Sequence, residues 1–137
     1  MNNDTMKSTG LLILRLVFGF VMIMHGTQKA FDWTPAGTVA SFEQMGIPMA
    51  AAAAYFAMAT ELLGGIMIIL GAGTRIAAAA SVVSMSGALF FVHLAAGFSA
   101  SKGGYEYVLT LAAVAAALAL TGAGKFSIDA LITARRK

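Results

Sequence analysis

A single carboxylate in the middle of a long apolar run constrains this chain more than any other feature. The run extends from Met49 to Leu70, and its one charged residue, Glu61, lies close to its midpoint. About 20 consecutive apolar residues cross the hydrocarbon core of a bilayer, so the run predicts a transmembrane helix. A charge at the centre of such a helix costs about 2.5–3.5 kcal/mol even on insertion scales that include relaxation. Glu61 must therefore face other protein groups, and the remaining helices must supply them.

Composition assigns the whole chain to the same class. Of its 137 residues, 59% are hydrophobic and 11% are charged. Soluble domains carry about 25% charged residues, so the deficit indicates an integral membrane protein. The formal charge of +3 requires no nucleic acid partner, because most of the surplus lies in Arg135, Arg136 and Lys137. The absence of cysteine excludes thiol nucleophiles, disulfides and thiolate-held metal centres within this chain.

The hydropathy pattern predicts an all-α membrane protein built as an antiparallel up-down bundle of four transmembrane helices. Short connections between the later helices favour the up-down arrangement. The predicted helices cover residues 10–30, 49–71, 75–97 and 105–121. Residues 32–48 are predicted to form a periplasmic loop, and residues 122–137 a basic cytoplasmic tail.

Positive charge predicts the orientation of this bundle. With the N-terminus inside, Lys29 and Lys102 lie outside, and the other lysines and arginines lie on the cytoplasmic half. These are Lys7, Arg15, Arg75, Lys125, Arg135, Arg136 and Lys137. Loops rich in lysine and arginine stay in the cytoplasm, so both termini are expected there.

The polar side chains within the predicted helices form two groups when their depths are compared at about 1.5 Å per residue. The outer group contains His25, Lys29, His93 and Glu106. The deeper group contains Arg15 and Glu61, which are expected to form an ion pair. The pair has a structural interpretation, in which it neutralises both charges, and a functional one, in which it places a protonatable group beside a cavity. The two interpretations are compatible.

The two histidines leave three interpretations open. They could hydrogen bond to each other or to the backbone, bind the oxygen atoms of a quinone-like or phenolic molecule, or hold a haem b from two helices of the bundle. No metal site is predicted, because the two histidines lack nearby carboxylates that would orient metal-bound imidazoles.

Several short motifs follow one another in a characteristic order. They are Arg15, His25-Gly26-x-x-Lys29, Glu61-Leu62-Leu63-Gly64-Gly65, Gly73-Thr74-Arg75, His93, Glu106, and Gly122-x-Gly124 followed by Ser127-Ile128-Asp129. This ordered set resembles the DoxX family, and the similarity extends from Gly10 to about Leu131. One departure is Gly122-Ala123-Gly124, where the family usually has glycine-proline-glycine; it affects a turn.

The resemblance implies a small, multi-pass, four-helix protein of the bacterial inner (plasma) membrane. It also implies a redox association, since relatives include a subunit paired in thiosulfate:quinone oxidoreduction and others linked to quinones, catechol or oxidative stress. A membrane or peripheral redox partner is therefore expected. Whether the small-residue helix faces pack within one bundle or between copies in a homo-oligomer stays open.

The leading hypothesis is a redox-linked subunit or accessory that binds a quinone or similar small aromatic molecule in an internal polar pocket. His25 and His93 would hold the ligand's oxygen atoms, and Glu61 with Arg15 would set the proton and charge balance. Lys29 and Glu106 complete the predicted ligand-binding set. The alternatives are a small-solute transporter, or a structural or assembly subunit of a membrane redox complex.

Overall fold

The computed structural model describes residues 2–136, and every regular element in that range is helical. The α-helices are α1 (Asn3–Thr27), α2 (Thr34–Gln44), α3 (Ala50–Ala59), α4 (Gly65–Leu70), α5 (Thr74–Ala88), α6 (Glu106–Thr121) and α7 (Ile128–Arg135). Two short 3₁₀ turns, Leu94–Ala96 and Ala100–Lys102, lie between α5 and α6 in this part of the chain.

Three π-helical turns interrupt or extend the long helices in the described residues. Gln28–Asp32 follows α1, Thr60–Gly64 joins α3 to α4, and Leu89–His93 follows α5. In such a turn each N–H bonds to the carbonyl five residues earlier, as the N–H of Trp33 does to Gln28 at 2.9 Å. The wider turn changes the direction of its side chains, and π turns occur frequently at functional sites.

Among the described residues, three continuous helices are long and apolar enough to cross a membrane. They are Asn3–Asp32, Ala50–Leu70 and Thr74–Ala96, while the apolar α6 is shorter. Large apolar side chains cover the outer surface, among them Val17, Ile76 and Leu120. A surface of this kind is typical of contact with lipid.

Three segments outside the predicted transmembrane helices contain helix. The first helix begins at Asn3 rather than near Gly10, because the side chain of Asn2 accepts a hydrogen bond from the Thr5 N–H at 2.9 Å and caps it. The segment 32–48 contains α2, and the segment 122–137 contains α7.

Glycines let α1 approach the helix formed by α3 and α4. A Cβ atom added to Gly19 would lie 2.8 Å from the carbonyl oxygen of Gly65, and one added to Gly26 would lie 2.9 Å from the backbone nitrogen of Leu62. Contacts this close occur only where neither backbone carries a side chain between them. They fix how far α1 is shifted along α4, and this shift decides which polar groups meet.

Candidate functional site

Lys29 and Glu61 form a buried ion pair. The Nζ atom of Lys29 lies 2.9 Å from Oε2 and 3.1 Å from Oε1 of Glu61. The side chain of Lys29 is 14% exposed and that of Glu61 is 4% exposed. Within residues 2–136 no other lysine or arginine lies within 4.0 Å of a carboxylate. The carboxylate that dominates the sequence is therefore neutralised by a lysine of the outer group.

Both partners of this ion pair lie in π-helical turns. Lys29 belongs to the turn that follows α1, and Glu61 belongs to the turn that joins α3 to α4. Gly26 makes the approach possible, since a Cβ atom there would lie 3.0 Å from the Cβ of Glu61. The hydroxyl of Thr38 donates a hydrogen bond of 2.8 Å to the carbonyl of Lys29, so α2 stabilises the π turn that carries Lys29.

The predicted ion pair between Arg15 and Glu61 is wrong. The guanidinium of Arg15 is buried and donates hydrogen bonds to four backbone carbonyls instead. Their oxygens belong to Ile68 at 2.9 Å, Ile69 at 2.9 Å, Ala123 at 2.6 Å and Phe126 at 2.9 Å. Carbonyls at the end of a helix have no partner within that helix, so they are available as acceptors. Arg15 joins the end of α4 to the chain that follows α6.

The packing of the two glycines explains the difference. Gly19 lies against Gly65, which places Arg15, one turn earlier in α1, beside the last turn of α4. Glu61 lies four residues before Gly65, so it is displaced by about 6 Å towards Lys29 and away from Arg15. Depths counted from helix centres alone missed this shift.

Asp129 completes the structure at the Arg15 end. Its Oδ1 accepts a hydrogen bond of 2.7 Å from the Gly73 N–H, and its Oδ2 accepts one of 3.0 Å from the Thr74 N–H. Burial alone would raise the pKa of Asp129, but the hydrogen bonds from Thr74 and Gly73, with the charge of Arg15, hold that pKa below its usual value. The carboxylate caps the N-terminus of α5 and ties α7 to it. We call this arrangement the clamp: Arg15 holds the chain after α6 against the end of α4, and Asp129 holds α7 against the start of α5.

The two histidines lie beside the start of α6. His25 is half-buried, and its ring centroid lies 6.2 Å from that of Tyr107. His93 lies in the third π turn, and its Nδ1 atom is 2.8 Å from the carbonyl oxygen of Gly103. Tyr107, which is not in the predicted ligand-binding set, therefore lies beside a residue of that set.

Glu106 shapes the loop in front of α6. Its Oε1 atom accepts a hydrogen bond of 2.6 Å from the Ala100 N–H. The backbone of Tyr105 also closes this loop by donating to the Gly97 carbonyl at 2.9 Å. Glu106 and His93 thus both bind loop backbone, whereas His25 lies in the last turn of α1 and Lys29 in the π turn that follows it.

The site combines an ammonium group, a carboxylate, an imidazole and a phenol ring. Lys29 and His25 can donate hydrogen bonds, and Glu61 can accept one or exchange a proton. In residues 2–136 no three histidine, aspartate or glutamate side chains are grouped closely enough to hold a metal ion. The π turns that carry Lys29, Glu61 and His93 left no signal in the sequence, whereas the contact between Gly19 and Gly65 could have been inferred from the glycine spacing.

Comparison with known proteins identifies the family. Residues 10–94 match the DoxX family model. The chain belongs to the DoxX family. Bacillus subtilis has a DoxX relative named "Putative oxidoreductase CatD", which is 31% identical over 93% of this chain and 90% of that protein. An uncharacterized protein of Haemophilus influenzae is 32% identical over 94% of this chain and 96% of its own length. No solved structure matches this DoxX chain.

The family match confirms the resemblance inferred from the ordered motifs, and with the three apolar helices it makes this DoxX chain a membrane protein. The matched range includes both partners of the ion pair, Arg15 and the two histidines. Glu106 and the motifs between Gly122 and Asp129 lie beyond it.

Proposed function

We propose that this DoxX protein is a redox-linked subunit or accessory of the bacterial inner membrane that binds a quinone or similar small aromatic molecule. The proposed architecture is a four-helix up-down bundle with both termini in the cytoplasm. The ligand would bind beside Lys29 and Glu61, with His25 and Tyr107 next to it.

The observation that carries the proposal is the buried ion pair between Lys29 and Glu61. Removing both charges from water is costly, and well-packed apolar residues often stabilise a protein as well or better. Ionisable groups within membrane helices are therefore candidates for function. The position of both groups on π-helical turns supports the same conclusion.

The available groups suit the chemistry of a quinone. Its carbonyl oxygens accept hydrogen bonds, which the ammonium of Lys29 and the imidazole of His25 can donate. His93 donates its Nδ1 proton to the loop carbonyl, so the Nε2 of the neutral imidazole can accept a hydrogen bond from a hydroxyl group of the reduced, quinol form. Reduction of a quinone takes up electrons and protons in equal number. Glu61 would exchange the protons, and the electrons would come from a redox partner.

A redox function also agrees with the name of one relative. A protein that aligns with almost the whole of this chain is named a putative oxidoreductase. That name gives no ligand, so the quinone is proposed from the side-chain chemistry of the site together with the family resemblance.

Extraction of the purified protein tests the proposal. The protein is purified from bacterial membranes in mild detergent, its bound lipids are extracted, and quinones are quantified by mass spectrometry while an absorption spectrum reports haem. We expect quinone to co-purify with the wild type and to be depleted in His25→Ala and in Glu61→Gln. Glu43→Gln, a matched change at an exposed glutamate of α2, should retain it. Equal quinone contents in all four proteins would contradict the proposed site, and a Soret band would favour a haem protein.

A further inference from the structure

A concave site lies at the end of the protein where the Arg15 clamp is found. It is a cleft of about 810 Å³ between the beginning of α5, the turn after α6, and α7. The N-terminal part of α1 is close by, since the Lys125 N–H donates a hydrogen bond of 3.3 Å to the hydroxyl of Ser8. None of the residues proposed to bind the quinone lines this cleft.

Two positively charged side chains line the cleft. The Nε atom of Arg75 lies so close to Gly122 that a Cβ atom there would be 3.2 Å from it. Lys125 lines the same cleft, and its Nζ atom donates a hydrogen bond of 2.7 Å to the hydroxyl of Thr5. In the described part of the chain, neither cation has a carboxylate within 4.0 Å.

The one carboxylate in the lining does not cancel this charge. Asp129 accepts hydrogen bonds from Gly73 and Thr74 with its two oxygen atoms, so both are held against the start of α5. Arg75 and Lys125 are both exposed and remain available to an anion.

Apolar residues form the rest of the wall. Ile76 is 76% exposed and Ile132 is 46% exposed, and both line the cleft. Leu131 on α7 is also exposed, and Arg135 lies in the last turn of the same helix. A short helix with exposed apolar residues and basic residues near its end is typical of the membrane–water interface.

We propose that this cleft binds an anionic phospholipid. Its phosphate would lie between Arg75 and Lys125, and an acyl chain would follow Ile76 and Ile132. Basic pockets beside transmembrane helices recognise anionic headgroups in this way. Free phosphate shares the headgroup chemistry, but it carries no acyl chain that could contact the apolar wall. The proposal is independent of the quinone site.

Lipid retention measured by native mass spectrometry tests this proposal. The full chain is reconstituted in vesicles of phosphatidylcholine doped with phosphatidylglycerol. The protein is then released from the vesicles in the mass spectrometer, and the lipids that stay bound to it are counted. We expect bound phosphatidylglycerol to be enriched over its vesicle fraction. Arg75→Gln and Lys125→Gln should each lower that enrichment about fivefold, the effect expected of one cation beside an anionic lipid. Circular dichroism establishes that each variant is folded, and Lys125→Gln serves alone if Arg75→Gln is not.

Two matched controls separate a defined site from diffuse surface charge. Lys7→Gln removes a cation outside the cleft near the same end, and Lys102→Gln removes one from the loop before α6. Neither should change the enrichment. Equal losses in Lys7→Gln and Arg75→Gln, or no enrichment in the wild type, would overturn the proposal. Displacement of phosphatidylglycerol by excess inorganic phosphate would show that the cleft is a free-phosphate site and would overturn the lipid assignment.

Discussion

The ammonium group of Lys29 lies 2.9 Å from Oε2 of Glu61, and each side chain projects from a π-helical turn of a different apolar helix. The long apolar run from Met49 to Leu70 thus obtains its counter-charge from the end of the first helix. This contact joins the first helix to the second in the region where His25 also lies.

Breaking this ion pair from one side should destabilise the protein. Either Glu61→Gln or Lys29→Met leaves one buried charge without its partner, which typically costs about 3–5 kcal/mol. The double variant removes both charges and should recover most of the loss. Unfolding in mixed micelles, followed by circular dichroism, measures each free energy. Glu43→Gln is the matched control and should change it by less than about 0.5 kcal/mol. A double variant as unstable as the sum of the single variants would show that the two charges do not interact.

Adding a methyl group at the helix contact should separate α1 from α4. Gly19→Ala and Gly26→Ala place a Cβ atom against backbone atoms less than 3.0 Å away, and overpacking of this kind costs about 1–3 kcal/mol. Gly87→Ala is the matched control, because that helical glycine has open space around it. It should be neutral or stabilise the helix by up to about 1 kcal/mol. Unfolding free energies check both, and a larger loss in Gly87→Ala than in Gly19→Ala would refute the proposed packing.

Arg15→Met should release the segment after α6. The change removes the side-chain donor of four carbonyls, and each buried carbonyl that is left unpaired costs about 1–3 kcal/mol. The chain has no cysteine, so Ala123→Cys introduces a single buried thiol whose labelling rate reports release of this segment. We expect faster labelling with Arg15→Met and an unchanged rate with Arg135→Met, an exposed arginine. The clamp would be disproved by identical rates in the two backgrounds.

Acid should open the same clamp through Asp129. Its folded-state pKa is lowered, so its contribution to stability is complete above the pKa of an unfolded aspartate, about 4. That contribution is lost as the pH falls through the lower folded-state pKa. The labelling rate of Ala123→Cys, divided at each pH by the rate for the denatured protein so that the loss of thiolate in acid cancels, should therefore rise in this acid range. Asp129→Asn should show a high ratio at every pH. If the acid response persists unchanged in Asp129→Asn, a group other than Asp129 causes it and the prediction is wrong.

Helical class and apolar spans could be predicted because they are local properties of the sequence. The ion-pair partners of the charged residues could not be predicted in this way. Arg15 and Glu61 looked like natural partners by charge, but the contact between Gly19 and Gly65 shifts α1 along α4 and gives Glu61 to Lys29. Such a shift depends on how two helix surfaces fit, which depth counting ignores.

The clamp shows a second limit of the same kind. Asp129 and Arg15 are more than a hundred residues apart, and Arg15 binds backbone carbonyls, which have no signature in the side-chain sequence. The π turns at Lys29, Glu61 and His93 also could not be predicted from the sequence, because they depend on packing rather than on residue type.

Quinone titration followed by the fluorescence of Trp33 tests the central claim most directly. Trp33 is the chain's single tryptophan and follows the π turn that carries Lys29. Decylubiquinone is added to the purified protein, and quenching is compared for the wild type, His25→Ala and the control Lys102→Met. We predict saturable quenching in the wild type and the control, and affinity weakened about tenfold or more in His25→Ala by loss of a hydrogen bond. Quenching that never saturates, and is identical in all three proteins, would contradict quinone binding at this site.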